Sequence, residues 1–330
     1  MVPCRTGSAP TRCRAWCATY NPPPVTSSAS LRAKRQRPGS RRSAARALLS
    51  CSRPRQWTKN LLVLIAPMAA GVITHPAVLL RLLIALVAFT LASSAVYLVN
   101  DLLDLSLDRA HPIKRNRPLA SGRLPVPVAR NTVPILAVLA VGVAALGGWA
   151  LAGIVVLYLA SSMLYCARLK HETVLDLVFV VIGFLLRAIG GGIAAQVPVS
   201  RWFVLTVGLG ALFVIAGKRY AELVLVQRGL SAGRPVLRQY SASYLRFVWT
   251  LAAAALLVTY ALWSFTVAAG TDSATWSVVS ILPFVVVLLR YAVIVDAGGA
   301  GEPEEIVLGD RMLLGTAVVW LVLLVAAVYV

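Results

Sequence analysis

The 330-residue chain has few charged residues, which make up 13% of it, whereas apolar residues make up 59%. A soluble domain of this size needs roughly 25% charged residues to cover its surface. Acidic residues are the scarcest: 12 Asp and Glu stand against 32 Lys and Arg, and the first acid is Asp101. The composition excludes an ordinary soluble protein and predicts an integral membrane protein.

Soft metal ligands are also scarce. The five cysteines are scattered without metal-ligand spacing, and the four in the N-terminal tail have no histidine beside them, since the first of three histidines is His75. The pattern argues against a zinc site. We expect free thiols in a reducing, cytosolic environment.

The first 50 residues are rich in Arg, Ser, Ala and Pro and contain no apolar run long enough for a signal peptide. Such a segment buries too little apolar surface to offset its ordering entropy. We therefore predict a disordered tail over residues 1–52 and a folded domain over residues 53–330. The tail could bind nucleic acid or anionic lipid, but we favour a cytoplasmic tail held inside by its charge, with no nucleic-acid partner. A start placed too far upstream is another alternative.

Long apolar runs follow the tail with little between them. Most approach the ~20 residues needed to cross ~30 Å of hydrocarbon. The nine predicted spans are 59–74, 77–99, 129–146, 149–166, 174–196, 202–217, 246–269, 276–295 and 312–330.

Positive charge indicates the orientation of these spans. With a cytoplasmic N-terminus, the inward loops 101–130, 167–173, 218–246 and 298–311 hold 6, 2, 6 and 1 Lys or Arg, whereas the outward connections hold only Arg81 and Arg201. Merging the third and fourth spans would place the basic loop 218–246 outside, against the positive-inside rule. Only Asp272 among the acids falls outside. We therefore expect a multi-pass plasma-membrane protein with its chemistry on the cytoplasmic side.

A cluster of polar side chains ends the second span. On a continuing helix, Asn100, Asp104, Asp108 and Asp101 fall within about 100° of one another. Carboxylates so close together repel one another and are costly at a membrane boundary without cations. Their oxygens suit Mg²⁺, which binds through a few carboxylates plus substrate phosphates. A solvated helix end with local ion pairs is the alternative.

The basic residues Lys114, Arg115 and Arg117 follow directly, before Pro118. A cationic group beside a carboxylate–metal cluster suits a diphosphate ligand. The run N-D-x-x-D-x-x-x-D, followed by K-R-x-R-P-L-x-S-G, resembles the first Asp-rich motif of the UbiA-type prenyltransferase superfamily. RPRQWTKN, residues 53–60, resembles its entry motif. The resemblance covers residues 53–330 and implies an all-α bundle of about nine transmembrane helices with a cytoplasmic-side cavity.

The loop after the sixth span departs from the aromatic prenyltransferases of that superfamily, which carry a second Asp-rich motif there. GKRYAELVLVQRG, residues 217–229, offers two cations and a single acid instead. This exchange implies a further anionic group bound directly by Lys and Arg. With LKHETVLD, FLLRAIGGG and GEPEEIVLGDR, the loop resembles the decaprenyl-phosphate phosphoribosyltransferase branch. That branch moves 5-phosphoribosyl from phosphoribosyl diphosphate to a polyprenyl phosphate for cell-wall arabinan synthesis.

Several further side chains are candidates for substrate binding. Arg187 lies mid-span beside Gly190–Gly192, where a lone charge usually faces a cavity or a partner. Lys59 and Asn60 lie at the inner, cytoplasmic end of the first span, although Lys59 could equally snorkel to the interface. Tyr165 begins the segment YCARLKHETVLD. The roles of His171 and Glu172 stay open between acid–base chemistry and helix capping.

The clusters and the resemblance together imply a mechanism. Mg²⁺ is held by Asn100, Asp104 and Asp108, with Asp101 assisting, and binds the donor diphosphate. The leaving pyrophosphate is stabilised by Lys114, Arg115 and Arg117. The 5-phosphate is held by Lys218, Arg219 and Lys170, while Tyr220 and Glu222 orient the ribose or the cations. The lipid phosphate is already anionic and needs no general base.

Two alternatives remain at this point. One is an aromatic or haem-type prenyltransferase, which the missing second Asp pair disfavours. The other is a transporter, which would favour ionisable residues near the membrane midplane rather than at one face. A homo-oligomer is also open.

Overall fold

The computed structural model describes residues 41–229, 235–268, 274–299, 301 and 303–329, and these lie in one compact unit. Every regular element in these ranges is helical. The α-helices are α1 (Arg41–Cys51), α2 (Ile65–Ala69), α3 (Pro76–Leu103), α4 (Leu105–Ala110), α5 (Val126–Leu146), α6 (Trp149–Ala167), α7 (Leu175–Ala195), α8 (Arg201–Gln227), α9 (Ala242–Ala268), α10 (Ala274–Val279), α11 (Ile281–Asp296), α12 (Pro303–Gly309) and α13 (Arg311–Tyr329). Short 3-10 helices cover Pro54–Leu64, Lys114–Asn116, Leu169–His171 and Pro235–Gln239.

Eight helical stretches in the described residues are long and apolar enough to cross a membrane. They are Pro76–Leu103, Val126–Leu146, Trp149–Ala167, Leu175–Ala195, Arg201–Gln227, Ala242–Thr266, Thr275–Asp296 and Arg311–Tyr329. Large apolar side chains lie exposed on their outer faces, among them Leu80, Val138 and Leu282. An exposed apolar face of this extent suits hydrocarbon rather than water. The predicted all-α membrane fold is confirmed, and these stretches match the second to ninth predicted spans.

The first predicted span, 59–74, differs from the prediction. It forms the 3-10 helix Pro54–Leu64 followed by the five-residue α2. A 3-10 run of this length is uncommon, and here it is packed tightly against α7, since a Cβ on Gly191 would lie 1.9 Å from the Val63 carbonyl oxygen. Apolar composition predicted a transmembrane span, because it could not distinguish this irregular backbone from a spanning α-helix.

Two apolar clusters hold the bundle together. One lies among α3, α5, α6 and α7 around Phe89, Leu151 and Val155. The other lies among α8, α9, α11 and α13 around Trp249 and Leu313. The helices run up and down, so α3, α6, α8 and α11 end on one side, where α5, α7, α9 and α13 begin. We call this side the site end of the bundle.

Helix α1 lies within the segment for which we expected disorder. Its Ala47 and Cys51 are buried against Leu98, Leu119 and Leu124. Burial, followed by the charge of Asp101, raises the pKa of the Cys51 thiol to about 11. Part of the expected tail is therefore folded against the domain, and the expectation for residues 1–40 lies outside the described residues.

Candidate active site

The helix break at Asp104 gathers the predicted carboxylates at the site end. Helix α3 ends at Leu103, Asp104 takes φ −90° and ψ 7°, and α4 begins at Leu105. Helical hydrogen bonding continues across the break, because the Asp104 N–H donates to the Asn100 carbonyl at 3.0 Å and the Asp108 N–H donates to the Asp104 carbonyl at 2.8 Å. The predicted common face of Asn100, Asp101, Asp104 and Asp108 is therefore largely kept.

Two of the carboxylates are buried and bound by arginines. Arg117 Nη1 lies 2.6 Å from Asp108 Oδ2 and 3.2 Å from Asp101 Oδ1, and Arg53 Nη2 lies 2.6 Å from the same Asp101 oxygen. The carboxylates are almost inaccessible, whereas both arginine side chains are 29% exposed. Buried charges need such partners, so the two guanidinium groups balance Asp101 and Asp108 and still reach the surface.

Arg53 was not predicted as a site residue. Its backbone is left-handed, with φ 55° and ψ 67°, and its guanidinium lies 4.9 Å from the centre of the Tyr97 ring. A left-handed residue other than glycine carries strain that the surroundings must maintain. The only sequence signal for it was its place at the start of RPRQWTKN.

Asp104 is bound differently, by a lysine. Lys170 Nζ lies 2.5 Å from Asp104 Oδ1 and 3.4 Å from Asn100 Oδ1. The Asp104 side chain is 23% exposed, against about 3% for Asp101. Lys170 was expected at the 5-phosphate with Lys218 and Arg219. In the structure it instead contacts Asn100 and Asp104, two of the three predicted metal ligands.

A strained turn presents Lys170. The short helix Leu169–His171 leads to Val174, whose φ of 67° and ψ of −51° are unfavourable for a β-branched residue. The Val174 N–H donates to the Tyr240 hydroxyl at 2.8 Å, and burial raises the pKa of Tyr240. Tyr240, which no sequence pattern indicated, thus fixes the turn that carries Lys170.

Arg219 takes part in a buried ion pair. Its Nε lies 2.7 Å from Asp176 Oδ2, its Nη2 lies 3.2 Å from Asp176 Oδ1, and its Nη1 lies 3.3 Å from Glu222 Oε2. The Tyr165 hydroxyl donates to Asp176 Oδ1 at 2.8 Å. The network ties α6, α7 and α8 together, so Arg219, Glu222 and Tyr165 have structural partners. Asp176, which ends the segment LKHETVLD, was missed by the prediction.

Tyr220 is buried, but its hydroxyl contacts an exposed pair of side chains, Arg246 and Asp296. Its hydroxyl donates to Asp296 Oδ1 at 3.0 Å and accepts a hydrogen bond from Arg246, whose guanidinium lies over its ring. A groove of about 540 Å³ follows the first turns of α9 beside Arg246. The structure thus pairs Tyr220 with α9 and α11, and shows no contact between it and the carboxylate cluster in the described residues.

Arg187 and Asn60 form a buried network away from the helix ends. Arg187 Nε donates to Asn60 Oδ1 at 2.8 Å, and its other nitrogens donate to the Tyr158 hydroxyl and the Gly183 carbonyl. Asn60 is 0% exposed. These contacts fix the first 3-10 helix against α7, and a role in substrate binding stays a prediction for both residues.

The remaining predicted residues are Lys114, Arg115, Lys59 and Lys218. Lys114 and Arg115 form the 3-10 turn after α4, which the His111 ring caps by accepting hydrogen bonds from two backbone N–H groups. Arg115 is exposed and Lys114 is half-buried. Lys59 and Lys218 are half-buried beside Asn60 and Arg219.

The site end offers few oxygen donors to a divalent cation. In the part of the chain that the structure describes, no group of three or more His, Cys, Asp or Glu side chains converges tightly enough to hold a metal ion. Asn100 and Asp104 nevertheless point two oxygens at one cation, the Lys170 ammonium, within 3.4 Å. Oxygen donors of this kind suit Mg²⁺, which takes few protein ligands and keeps several waters. The residues fit the ion, with Asp108 nearby but bound to Arg117.

Known proteins are similar to this chain in sequence and in fold. The model of the UbiA prenyltransferase family matches residues 61–308. A protein of Mycolicibacterium smegmatis named decaprenyl-phosphate phosphoribosyltransferase is 45% identical over 86% of this chain and 92% of its own length. One of the same name from Mycobacterium tuberculosis is 47% identical over 84% and 92%. A UbiA homolog from Archaeoglobus fulgidus, solved with GPP and Mg²⁺, has a TM-score of 0.65 at 16% identity and covers 86% of this chain and 100% of its own. That last likeness shows the fold alone.

Proposed function

Since this chain belongs to the UbiA prenyltransferase family, we propose that it transfers 5-phosphoribosyl from phosphoribosyl diphosphate to a polyprenyl phosphate and releases pyrophosphate. The observation that carries the proposal is the carboxylate cluster at the end of α3. Its carboxylates form salt bridges with Arg53, Arg117 and Lys170. Its cations suit a diphosphate, and the relatives' name supplies the acceptor class.

The donor diphosphate is proposed to bind over this cluster. Asn100 and Asp104 would hold Mg²⁺, with Asp108 as the third predicted ligand. When bound, the ion would neutralise charge on the diphosphate and favour the departure of pyrophosphate. Arg117, together with Lys114 and Arg115 at the rim, would share that charge. Asp101 would act by orienting Arg53 and Arg117.

The 5-phosphate is proposed to bind near Lys218, which lies inside α8, nine residues before its last residue Gln227. Arg219, whose three donor nitrogens contact Asp176 and Glu222, would position this part of the helix. The acceptor phosphate would attack C1 of ribose as the bond from C1 to the diphosphate oxygen breaks. Because the nucleophile is an anion, the site needs to align it rather than to deprotonate it. We propose that the site end faces the cytoplasm at the plasma membrane, on the strength of the positive charge in its loops.

A product assay separates this function from its alternatives. Membranes containing the chain are incubated with polyprenyl phosphate and either labelled phosphoribosyl diphosphate or labelled prenyl diphosphate. Label from phosphoribosyl diphosphate should enter the organic phase, only with divalent cation, and be lost in Asp104→Ala. Glu305→Gln, which removes an exposed carboxylate on α12, serves as the control and should keep activity. Transfer from the prenyl diphosphate alone would refute the proposal, and no pyrophosphate release with either donor would favour a transporter.

A further inference from the structure

Lys170 occupies the place at which a divalent cation would bind. Its ammonium contacts Asp104 Oδ1 at 2.5 Å and Asn100 Oδ1 at 3.4 Å. We propose that Lys170 holds this place in the metal-free protein, leaves it when the metal binds, and then contacts the phosphate group that the metal brings. The inference rests on the proposed function in one respect, since it assumes a divalent cation on Asn100 and Asp104.

The two cations cannot share these oxygens. A Mg²⁺ ion would lie about 2.0–2.1 Å from each oxygen ligand. The ammonium at 2.5 Å from the same carboxylate oxygen would then lie within a few ångströms of a double positive charge, and like charges at that distance repel strongly in a partly buried site. Binding of the metal therefore requires movement of Lys170.

The structure lets Lys170 move while the arginines stay. Lys170 stands on a three-residue 3-10 helix and reaches Asp104 through a flexible four-carbon stem. Asp104 is the most exposed carboxylate of the cluster, so it can exchange its partner with little desolvation cost. Arg117, by contrast, forms salt bridges with two nearly inaccessible carboxylates at once. Moving it would remove a positive partner from two buried negative charges, which is costly. One cation of the cluster is thus exchangeable.

The exchange makes binding of the metal and of the diphosphate cooperative. Without an anion, Lys170 competes with the metal and weakens its binding. With an anion present, the displaced ammonium has a new partner at a short distance, so metal and diphosphate should support each other's binding. With neither bound, Lys170 neutralises the Asp104 carboxylate.

Metal binding to the purified full chain in detergent tests the exchange without turnover. Mn²⁺ is titrated against wild type, Lys170→Met and Arg168→Met, and bound ion is measured by electron paramagnetic resonance. Removing Lys170 should tighten Mn²⁺ binding about tenfold or more, because a neighbouring positive charge is lost. Arg168→Met removes an exposed positive charge two residues away and should change the affinity much less.

The second arm uses pyrophosphate as the anion. With Mg²⁺ saturating, calorimetry should show weaker pyrophosphate binding to Lys170→Met than to wild type. Lys170→Gln is measured alongside, so that a poorly folded methionine variant does not decide the result. Equal Mn²⁺ affinity in wild type and both Lys170 variants would overturn the exchange and leave the metal site intact. Mn²⁺ binding that is absent from wild type and from both Lys170 variants, or unchanged in Asp104→Ala, would instead overturn the metal site of the proposed function.

Discussion

The buried pair of Asp176 and Arg219 gives a stability prediction for Asp176→Asn. Both side chains are nearly inaccessible, at 1% and 4% exposure, and two hydrogen bonds of 2.7 and 3.2 Å join them. Breaking a buried pair by removing one partner costs about 3–5 kcal/mol, because the other charge stays buried. Glu222 remains 3.3 Å from Arg219, so we expect the lower end of that range. For a chain of 330 residues, a loss of about 3 kcal/mol would lower the midpoint of thermal unfolding by roughly 4 °C.

The assay is thermal unfolding of the purified protein in one detergent, with Asp296→Asn as the matched control. Asp296 pairs with Arg246, and both are more than half exposed, at 58% and 60%. Exposed pairs contribute at most about 1 kcal/mol, so the control should unfold close to wild type. The double variant Asp176→Leu/Arg219→Met should recover part of the loss, since it removes both charges. Equal midpoints for Asp176→Asn and Asp296→Asn would refute the reasoning.

Three further predictions concern the donor, a thiol and a glycine. Lys218→Ala should raise the KM for phosphoribosyl diphosphate in steady-state assays while the protein still elutes as wild type, and an unchanged KM would remove the 5-phosphate assignment. Because its pKa is raised from 9.0 to about 11, Cys51 should carry about a hundredfold less thiolate at pH 8 than an ordinary thiol and resist iodoacetamide, as peptide mass spectrometry would measure. Labelling of Cys51 as fast as in detergent-unfolded protein would contradict this. Gly191→Ala should strongly lower the unfolding midpoint, because the new Cβ would lie 1.9 Å from the Val63 carbonyl oxygen, whereas Gly153→Ala in α6 meets nothing within 4 Å and should not.

Much of the fold could be predicted because it depends on short-range pattern. Apolar length alone placed eight spans, and helical periodicity alone placed Asp101, Asp104 and Asp108 at one end. The first predicted span failed because its backbone is set by partners far along the chain. Arg187 bonds Asn60 across 127 residues, and Gly191 gives Val63 its close approach. No local pattern carries that information.

The partners of the cations could not be predicted for the same reason. Lys170 and Asp104 lie 66 residues apart, and Arg219 and Asp176 lie 43 apart. The sequence indicated that positive charge collects on one side, but not which carboxylate each cation would contact. The expected Mg²⁺ ion on the carboxylates at the end of α3 stays a prediction, and their contacts with Arg53, Arg117 and Lys170 were not foreseen.

The arginines and the lysine at the site end differ in the carboxylates that they contact. Arginine balances the carboxylates that are inaccessible, at Asp101, Asp108 and Asp176, where its planar group can make several bonds at once. Lys170 pairs with Asp104, the carboxylate that would bind the proposed metal. Arg219 is bound to Asp176 and Lys170 to Asp104, and the proposed 5-phosphate contact is therefore tested at Lys218, inside α8. In the proposed site, Lys170 and Lys218 thus contact phosphate groups, Arg53 and Arg219 hold buried carboxylates, and Arg117 does both.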